Sequence, residues 1–497
     1  MTERKDLSRD TIIGVAGAGA MGAGIAQIAA QAGHPVVVLD QDEAALARGR
    51  EVVEKGASAL MKRGKLSPTD AQALSSRIAW TLDEKVLAPA GLVIEAVIEN
   101  AGIKQGLFRI LEETLSDDAV IATNTSSLSV TALASALKRP QRFLGLHFFN
   151  PAPVMKLVEV VSGAATDPAV ALICFELMKS WGKEAVEVRD VPGFIVNRVA
   201  RPFYSEGWRA LEEGAADAAT IDFLFRDLAG FRMGPLELGD LIGHDVNYAA
   251  ACSVYEAYHA RTRFVPSLAQ GQLVAAGRLG RKSGAGVHDY RAGPVHAPRL
   301  AKLSQEAPAA LKLGREAEPL NGLLNHSGAK FDADKSTPAG FADVEGVLIG
   351  FGEGWPASAC AHDLGRPVAL LDWIGDAAQA SVIAFAASND EARRAAVAFA
   401  QACGKGAVEV KDRPGLVVLR TLLQLANAAG DAVRDQVGDA DGIDRAMRFG
   451  ANYPFGPLEW ANTYGVARAV AALDAIGEET GEQMYFAGEA LRAMARR

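Results

Sequence analysis

The sequence predicts an α/β domain followed by an all-α domain, and then a smaller version of each in the same order. Three observations predict it. Short apolar runs alternate with amphipathic stretches as far as about Val191, beyond which helical patterns dominate. A glycine-rich turn joins the first apolar run to the first helical stretch. A set of short matches recurs 222 positions further along the chain.

The first apolar run, residues 11–16, leads into Gly17, Gly19 and Gly22, then a helix-forming stretch at 21–32 and a second apolar run at 36–39 that ends on Asp40. Each glycine has a distinct job. Gly17 permits the tight turn, Gly19 lets the backbone approach a pyrophosphate, and Gly22 allows close helix–strand packing. Ala20 and Met21 open the helix, whose unpaired N–H groups and positive dipole end favour phosphate. Asp40 is placed to accept both hydroxyls of an adenosine ribose and to repel a 2′-phosphate, so NAD is favoured over NADP. Residues 10–189 therefore read as a Rossmann-type NAD-binding domain.

Residues 45–76 interrupt that domain with a long polar–apolar helical pattern and a turn near Ser67-Pro68, as a helical hairpin inserted after the second strand would. Apolar runs at 92–97, 120–122 and 143–148, separated by amphipathic stretches such as 104–115, continue the sheet. Residues 190–290 then read as a first helical domain.

The repeat organises the rest. Gly182-Lys183 matches Gly404-Lys405, and Ala185-Val186-Glu187-Val188 matches Ala407-Val408-Glu409-Val410. Asp190, Pro192 and Gly193 match Asp412, Pro414 and Gly415, and Gly234-Pro235-Leu236-Glu237 matches Gly456-Pro457-Leu458-Glu459. A constant offset over so many separated matches means that the helical unit is present twice, the second copy spanning 409–497. Residues 291–339 read as a linker. Residues 340–408, with strand-like runs at 344–349 and 368–371, read as a degenerate Rossmann-like domain. Its glycine-rich turn at 350–354 puts Glu353 and Trp355 where a phosphate loop needs small neutral residues.

Composition bounds the function. A chain of 497 residues is too long for one core, and no apolar run is long enough to span a bilayer. The charged first ten residues lack a signal peptide's apolar centre. Four cysteines without Cys-x-x-Cys spacing suit reduced thiols in a cytoplasm and no zinc site. A net charge of −9 argues against nucleic acid as a partner.

Residues 144–151, LGLHFFNP, put His147 in an apolar strand-like run, and VMKLVEVV shortly after carries Glu159 between apolar neighbours. Two adjacent strands would bring them together. A buried carboxylate on one imidazole nitrogen sets the tautomer and leaves the other nitrogen free to take a proton from a secondary alcohol. From spacing alone, a single histidine in a strand is more often a satisfied core histidine, and Glu159 could be an isolated ion-pair partner.

The segments VAGAGAMGAGIAQIAA, VIEAVIEN, NTSSLSV, LGLHFFNPAPVMKLVEVV, VPGFIVNRV and GRKSGAGVHDY together resemble the L-3-hydroxyacyl-CoA dehydrogenase family, across about residues 10–290. The second helical unit resembles the same family's C-terminal domain. The long two-unit layout looks like the bacterial enzymes of phenylacetate breakdown, whose substrate is 3-hydroxyadipyl-CoA; the 3-hydroxybutyryl-CoA dehydrogenases are the family's short members. The resemblance implies that His147 is the general base, Glu159 its orienting partner, Ser126 a donor to the substrate oxygen and Asn197 part of the same polar cluster. It implies cofactor contacts for Asp40, Glu99, Lys104, Asn150 and Lys282. It implies a coenzyme A phosphate site on the hairpin, where Lys55, Lys62, Arg63 and Lys65 cluster.

Each residue has an ordinary alternative. Ser126 could cap the following helix, Lys104 could be a solvated helix charge, Lys282 could follow a C-terminal turn, and the hairpin lysines could be a solvated face. In the second helical unit Leu419 replaces Asn197 and no His–Glu pair precedes it, so no second active site is expected. That unit is expected to pack on the first as an internal pseudo-dimer partner, in a chain that could also form a homo-oligomer. The competing enzyme reading is a free hydroxyacid dehydrogenase of the lens-crystallin type, which would not need the basic hairpin. A non-catalytic NAD-binding protein is disfavoured by the Ser126, His147, Glu159 and Asn197 set.

Overall fold

A computed structural model describes residues 7–291, 293, 300–301 and 311–496. Strands β1 (Ile13–Ala16), β2 (Val36–Leu39), β3 (Ile78–Thr81), β4 (Leu92–Glu95), β5 (Val120–Thr123), β6 (Phe143–Phe148), β7 (Leu157–Ser162) and β8 (Glu184–Arg189) form one sheet in the order β3-β2-β1-β4-β5-β6-β7-β8. All its neighbours are parallel except β6 and β7. Nearly every residue of the central strands is buried, as a sheet covered on both faces requires. The inserted hairpin consists of helices Glu43–Lys62 and Pro68–Ser76, the latter capped by the Ser67 side chain.

A second sheet holds β9 (Leu311–Leu313), β10 (Asp332–Ala333), β11 (Phe341–Val344), β12 (Val347–Phe351), β13 (Val368–Leu371), β14 (Val382–Ala387) and β15 (Gly406–Glu409), in the order β10-β9-β11-β12-β13-β14-β15. Two expectations are corrected here. The segment 291–339 is not a linker throughout. Much of it before Leu311 lies outside the described residues, but from Leu311 it supplies β9, helix Glu318–Ser327 and β10. A three-residue strand is too short to show a period in sequence. The run 344–349 is not one strand but the meeting of β11 and β12, which pair antiparallel across Glu345 (φ 51°) and Gly346 (φ 95°). Two consecutive positive φ values make a tight hairpin turn.

The chain divides into two compact units, and the division does not follow the domains read along the sequence. One unit holds the chain up to Arg198 together with Asp435–Ala451; the other holds Val199–Arg434 and the chain from Asn452. Within the first, helix Ala440–Gly450 of the second helical copy packs on β7 and β8. Within the second, helix Ala218–Ala229 of the first copy packs on β14, and Asp227 accepts from Ser381 and Val382 N–H groups at 2.9 and 3.2 Å. Helix Val418–Arg434 runs through the second unit, buried at every position from Val418 to Gly430, and packs on helix Arg201–Glu212. Among the described residues, no helix is long and apolar enough to cross a membrane.

Candidate active site and nucleotide site

The glycine turn after β1 has the shape its sequence demands. Gly17 sits at φ 110°, and a Cβ there would lie 2.6 Å from the Ala96 carbonyl oxygen. A Cβ on Gly22 would lie 1.8 Å from the Gly17 oxygen, so helix Ala20–Gln31 can approach the strand only at a glycine. A Cβ on Gly19 would meet nothing within 4 Å. Space, not packing, surrounds Gly19, and Gly19 and Ala20 are exposed beside the half-buried Met21. Asp40 follows β2 and accepts from the Ala18 N–H at 2.7 Å, which holds the acid beside the turn. This cradle fits a dinucleotide.

His147 in β6 stands directly across from Glu159 in β7. The Nδ1–H donates to Glu159 Oε2 at 2.6 Å, with His147 5 % exposed and Glu159 fully buried. A carboxylate only accepts, so the proton lies on Nδ1 and Nε2 is left with a lone pair. The other carboxylate oxygen accepts from the Ile195 and Val196 N–H groups, each at 3.0 Å. Those donors are presented by a left-handed turn, Gly193 (φ 76°) and Phe194 (φ 48°), which explains the Pro-Gly of the repeat. Asn197 is the next residue, so one carboxylate ties the imidazole to the turn that carries Asn197. Phe149 and Phe194 flank the imidazole at centroid distances of 4.5 and 5.6 Å.

Ser126 is exposed in the turn after β5. It does not cap the next helix: Ser129 does, accepting from the Ala132 N–H. Asn124 in the same turn accepts from the Phe148 N–H at 2.8 Å, which ties the serine turn to the end of β6. Glu99 gathers that turn further. Its Oε1 accepts from Thr125 Oγ1 at 2.6 Å, Ser127 Oγ at 2.8 Å, and the N–H groups of Ser126 and Ser127 at 3.2 Å. Burial would push the Glu99 pKa up, but the Thr125 hydrogen bond and the Lys104 charge outweigh it and hold it down to about 2.

Lys104 is not a solvated helix charge; its side chain is 1 % exposed, against Glu95 and Glu99. Glu95 and Asn124 are parts of the site that motif reading passed over. A carboxylate ending an apolar strand, with a lysine nine residues on, was the available signal for Glu95. Asn150 is exposed just beyond β6. Lys282 belongs to the second unit, where its Nζ is 2.6 Å from Asp245. Lys55, Lys62, Arg63 and Lys65 are all exposed on and after helix Glu43–Lys62, Lys55 in an i,i+4 pair with Glu51 at 3.2 Å.

The second half answers a question that motif reading posed wrongly. Asp190 accepts from the Val130 and Thr131 N–H groups, and Asp412, 222 positions on, accepts from those of Ala357 and Ser358. The glycine-rich turn at 350–354 is therefore the counterpart of the Ser126 turn, not of the phosphate loop, and Glu353 stands in the place of Ser126. Just after β13 and within β14, Asp372 and Ala384 stand where His147 and Glu159 do, by the shared register of Phe385 with Glu409 and Val160 with Glu187. The Asp372 carboxylate accepts from Val417, Val418 and Leu419 N–H groups at 3.0, 2.8 and 2.9 Å, the positions that repeat Ile195, Val196 and Asn197. The turn survives; the side chains of His147, Glu159 and Asn197 have no like residue there.

The chain matches the family model described as the 3-hydroxyacyl-CoA dehydrogenase NAD binding domain over residues 12–191, and that of the same family's C-terminal domain over 193–290 and 415–497. This chain belongs to the 3-hydroxyacyl-CoA dehydrogenase family. NAD is the cofactor, and the reaction is NAD-dependent oxidation of 3-hydroxyacyl-CoA. Residues 350–414 match the reduced Rossmann-fold domain of 3-hydroxybutyryl-CoA dehydrogenase. The 3-hydroxyadipyl-CoA dehydrogenase of Escherichia coli is 43 % identical over 95 % of each chain. The 3-hydroxybutyryl-CoA dehydrogenase of Clostridioides difficile is 38 % identical over 56 % of this chain and 99 % of its own. A crystal structure described as 3-hydroxybutyryl-CoA dehydrogenase from Escherichia coli superposes with a TM-score of 0.90, at 42 % identity over 99 % of both chains. These matches do not favour the free hydroxyacid alternative.

Proposed function

We propose that the substrate is 3-hydroxyadipyl-CoA, with 3-hydroxybutyryl-CoA as the shorter alternative, and that the chain serves phenylacetate breakdown. The likeness at 43 % identity to a dehydrogenase named for the adipyl thioester, over nearly all of both chains, favours the longer acid. The observation that carries the chemistry is the buried His147–Glu159 pair, 2.6 Å apart and bonded onward to the turn before Asn197.

In this reading His147 Nε2 takes the proton of the C3 hydroxyl, and Glu159 stabilises the imidazolium that results. Ser126 and Asn197 hold the C3 oxygen. The chemistry supplied by bound NAD is acceptance of the C3 hydride. Gly17, Gly19, Ala20, Met21 and Gly22 cradle the pyrophosphate, Asp40 takes the ribose, and Glu99 and Asn150 bound the rest of that site; for Lys282 the family resemblance alone supports a cofactor contact. Lys62 and Lys65, with Lys55 and Arg63, offer their charge to the coenzyme A phosphates. The four cysteines are free thiols, as suits the cytoplasm.

The second helical copy is an internal pseudo-dimer partner. Reciprocity supports this: an isologous contact repeats with its partners exchanged. The Arg189 N–H donates to the Val437 carbonyl at 2.9 Å, and the Lys411 N–H donates to the Ala215 carbonyl at 2.9 Å. Arg198 pairs with Asp435, and Arg420 pairs with Glu213 at 3.3 Å. In both cases the second pair is the first with the copies exchanged, at the same 222-residue offset.

The test is NADH oxidation with acetoacetyl-CoA beside 3-oxoadipyl-CoA. Turnover of both, with higher kcat/KM for the adipyl thioester, is the expected result. A higher value for acetoacetyl-CoA would overturn the substrate choice, and no turnover of either would overturn the reading.

A further inference from the structure

The turn that carries Ser126 is closed on itself and tied down at both ends. Thr125 is buried, and its Oγ1 accepts from the Leu128 N–H at 3.0 Å, which makes residues 125–128 one local unit. One end is joined to the strand of His147 through Asn124, which accepts from the Phe148 N–H. The other end runs into Ser129, Val130 and Thr131, and all three donate to a single carboxylate. Asp190 Oδ2 accepts from Ser129 Oγ at 2.8 Å and the Thr131 N–H at 2.7 Å, and Oδ1 accepts from the Val130 N–H at 3.1 Å. Val130 is buried on β6: a Cβ on Gly145, two residues before His147, would lie 3.1 Å from its side chain.

Asp190 leads directly into Val191-Pro192-Gly193, the left-handed turn whose following N–H groups Glu159 holds and which Asn197 follows. One carboxylate therefore joins the arm that presents Ser126 to the arm that presents Asn197. We infer that Asp190 is a positioning residue that fixes the spacing of Ser126 and Asn197 around the C3 oxygen, an inference that rests on the roles proposed for those two. A misplacement of about 1 Å in such an arm is enough to cost about 100-fold in rate.

The second half supplies the contrast. Asp412 accepts from the Ala357 and Ser358 N–H groups at 2.7 and 2.8 Å, in the places of Val130 and Thr131. Pro356 stands in the place of Ser129 and offers no hydroxyl, and the two arms carry Glu353 and Leu419. The same carboxylate braces both halves, but only in the first does it have substrate-holding side chains to align.

The experiment compares Asp190→Ala, Asp190→Asn, Asp412→Ala, Ser126→Ala and the double variant of Asp190→Ala with Ser126→Ala, all in the full chain. NADH binding is read by fluorescence, turnover with acetoacetyl-CoA, and folding by thermal melting. Asp190→Ala and Asp412→Ala are both expected to melt below wild type, since each leaves N–H groups without their acceptor. Only Asp190→Ala is expected to lose about 10- to 100-fold in kcat, with NADH affinity within about twofold of wild type. Asp190→Asn keeps one acceptor oxygen and should recover part of that loss. In the Ser126→Ala background Asp190→Ala should cost much less, because the two act on one contact.

Equal losses of kcat in Asp190→Ala and Asp412→Ala would overturn the inference in favour of a general structural role, and full additivity with Ser126→Ala would overturn it too. Should Asp190→Ala fail to fold, Asp190→Asn against Asp412→Asn is read by the same criteria. Unimpaired Ser126→Ala would remove the serine's role and the inference with it. Impaired Ser126→Ala beside unimpaired Asp190→Ala would remove the inference alone.

Discussion

A Glu159→Gln substitution keeps the shape of the side chain and removes its charge, so it separates the two services that Glu159 performs. The amide oxygen still accepts from Ile195 and Val196, while the imidazolium formed during proton transfer loses its counter-charge. The expected result is a fold near wild type by circular dichroism, with kcat lower by about 10²- to 10⁴-fold, and His147→Gln at least as impaired. Glu99 supplies the residue-scale pH prediction. Its depressed pKa means that its contribution to stability is complete above the ordinary carboxylate value of 4.5 and is lost as pH falls toward about 2. Glu99→Gln should therefore melt below wild type at neutral pH, and the gap should close across that acid window. The pairing of His147 with Glu159 was legible in sequence because β-strands alternate and the turn between them is short. Glu95 was not, because its partner lies on a helix and its meaning is set by which atoms surround it.

At the scale of the element, the nucleotide turn makes a paired prediction from two glycines of one motif. Gly19→Ala adds a methyl where nothing lies within 4 Å, so melting should be unchanged while NADH affinity falls as the backbone is held away from the phosphates. Gly22→Ala drives a methyl to 1.8 Å from a backbone oxygen, so it should cost about 1–3 kcal/mol or more by overpacking, read as a lowered Tm before any effect on binding. Equal effects of the two would contradict the separate roles of these glycines. The left-handed turn at Gly193-Phe194 recurs at Gly415 (φ 74°) and Leu416 (φ 57°), and its N–H groups find a carboxylate in both halves. The buried Lys183 and Lys405 likewise both donate to loop carbonyls, those of Ala152 and Ala380. The repeated residues thus preserve turns and loop anchors, whereas the chemistry-bearing positions between them diverged.

For the whole molecule, the exchange of contacts between helical copies predicts what truncation does. A chain ending after Arg291 loses helix Ala440–Gly450, which covers β7 and β8, and the helix against which Arg201–Glu212 packs. The exposed faces are apolar, so the truncated chain should self-associate in light scattering and melt well below the full chain. A truncated chain that stayed monomeric and equally stable would overturn the pseudo-dimer reading. Arg420 adds a reason for specificity in that packing: it is 2 % exposed and held by Glu206 at 3.0 Å, with Glu206 accepting from Tyr485 at 3.0 Å. Charges this deeply buried require their partners in register.

The nucleotide turn, the His–Glu pair and the duplication were all determined by the sequence alone, because each depends on spacing along one strand, one turn or one constant offset. Only the tertiary structure decided that the glycine-rich turn at 350–354 is a serine turn's counterpart, that residues from Leu311 join a sheet, and that each helical copy lends a helix to the other copy's sheet. Those facts concern which distant segments share a hydrogen-bond ladder or a buried face. Local pattern sets what an element can be; the burial of its apolar surface against a partner hundreds of residues away sets what it is for.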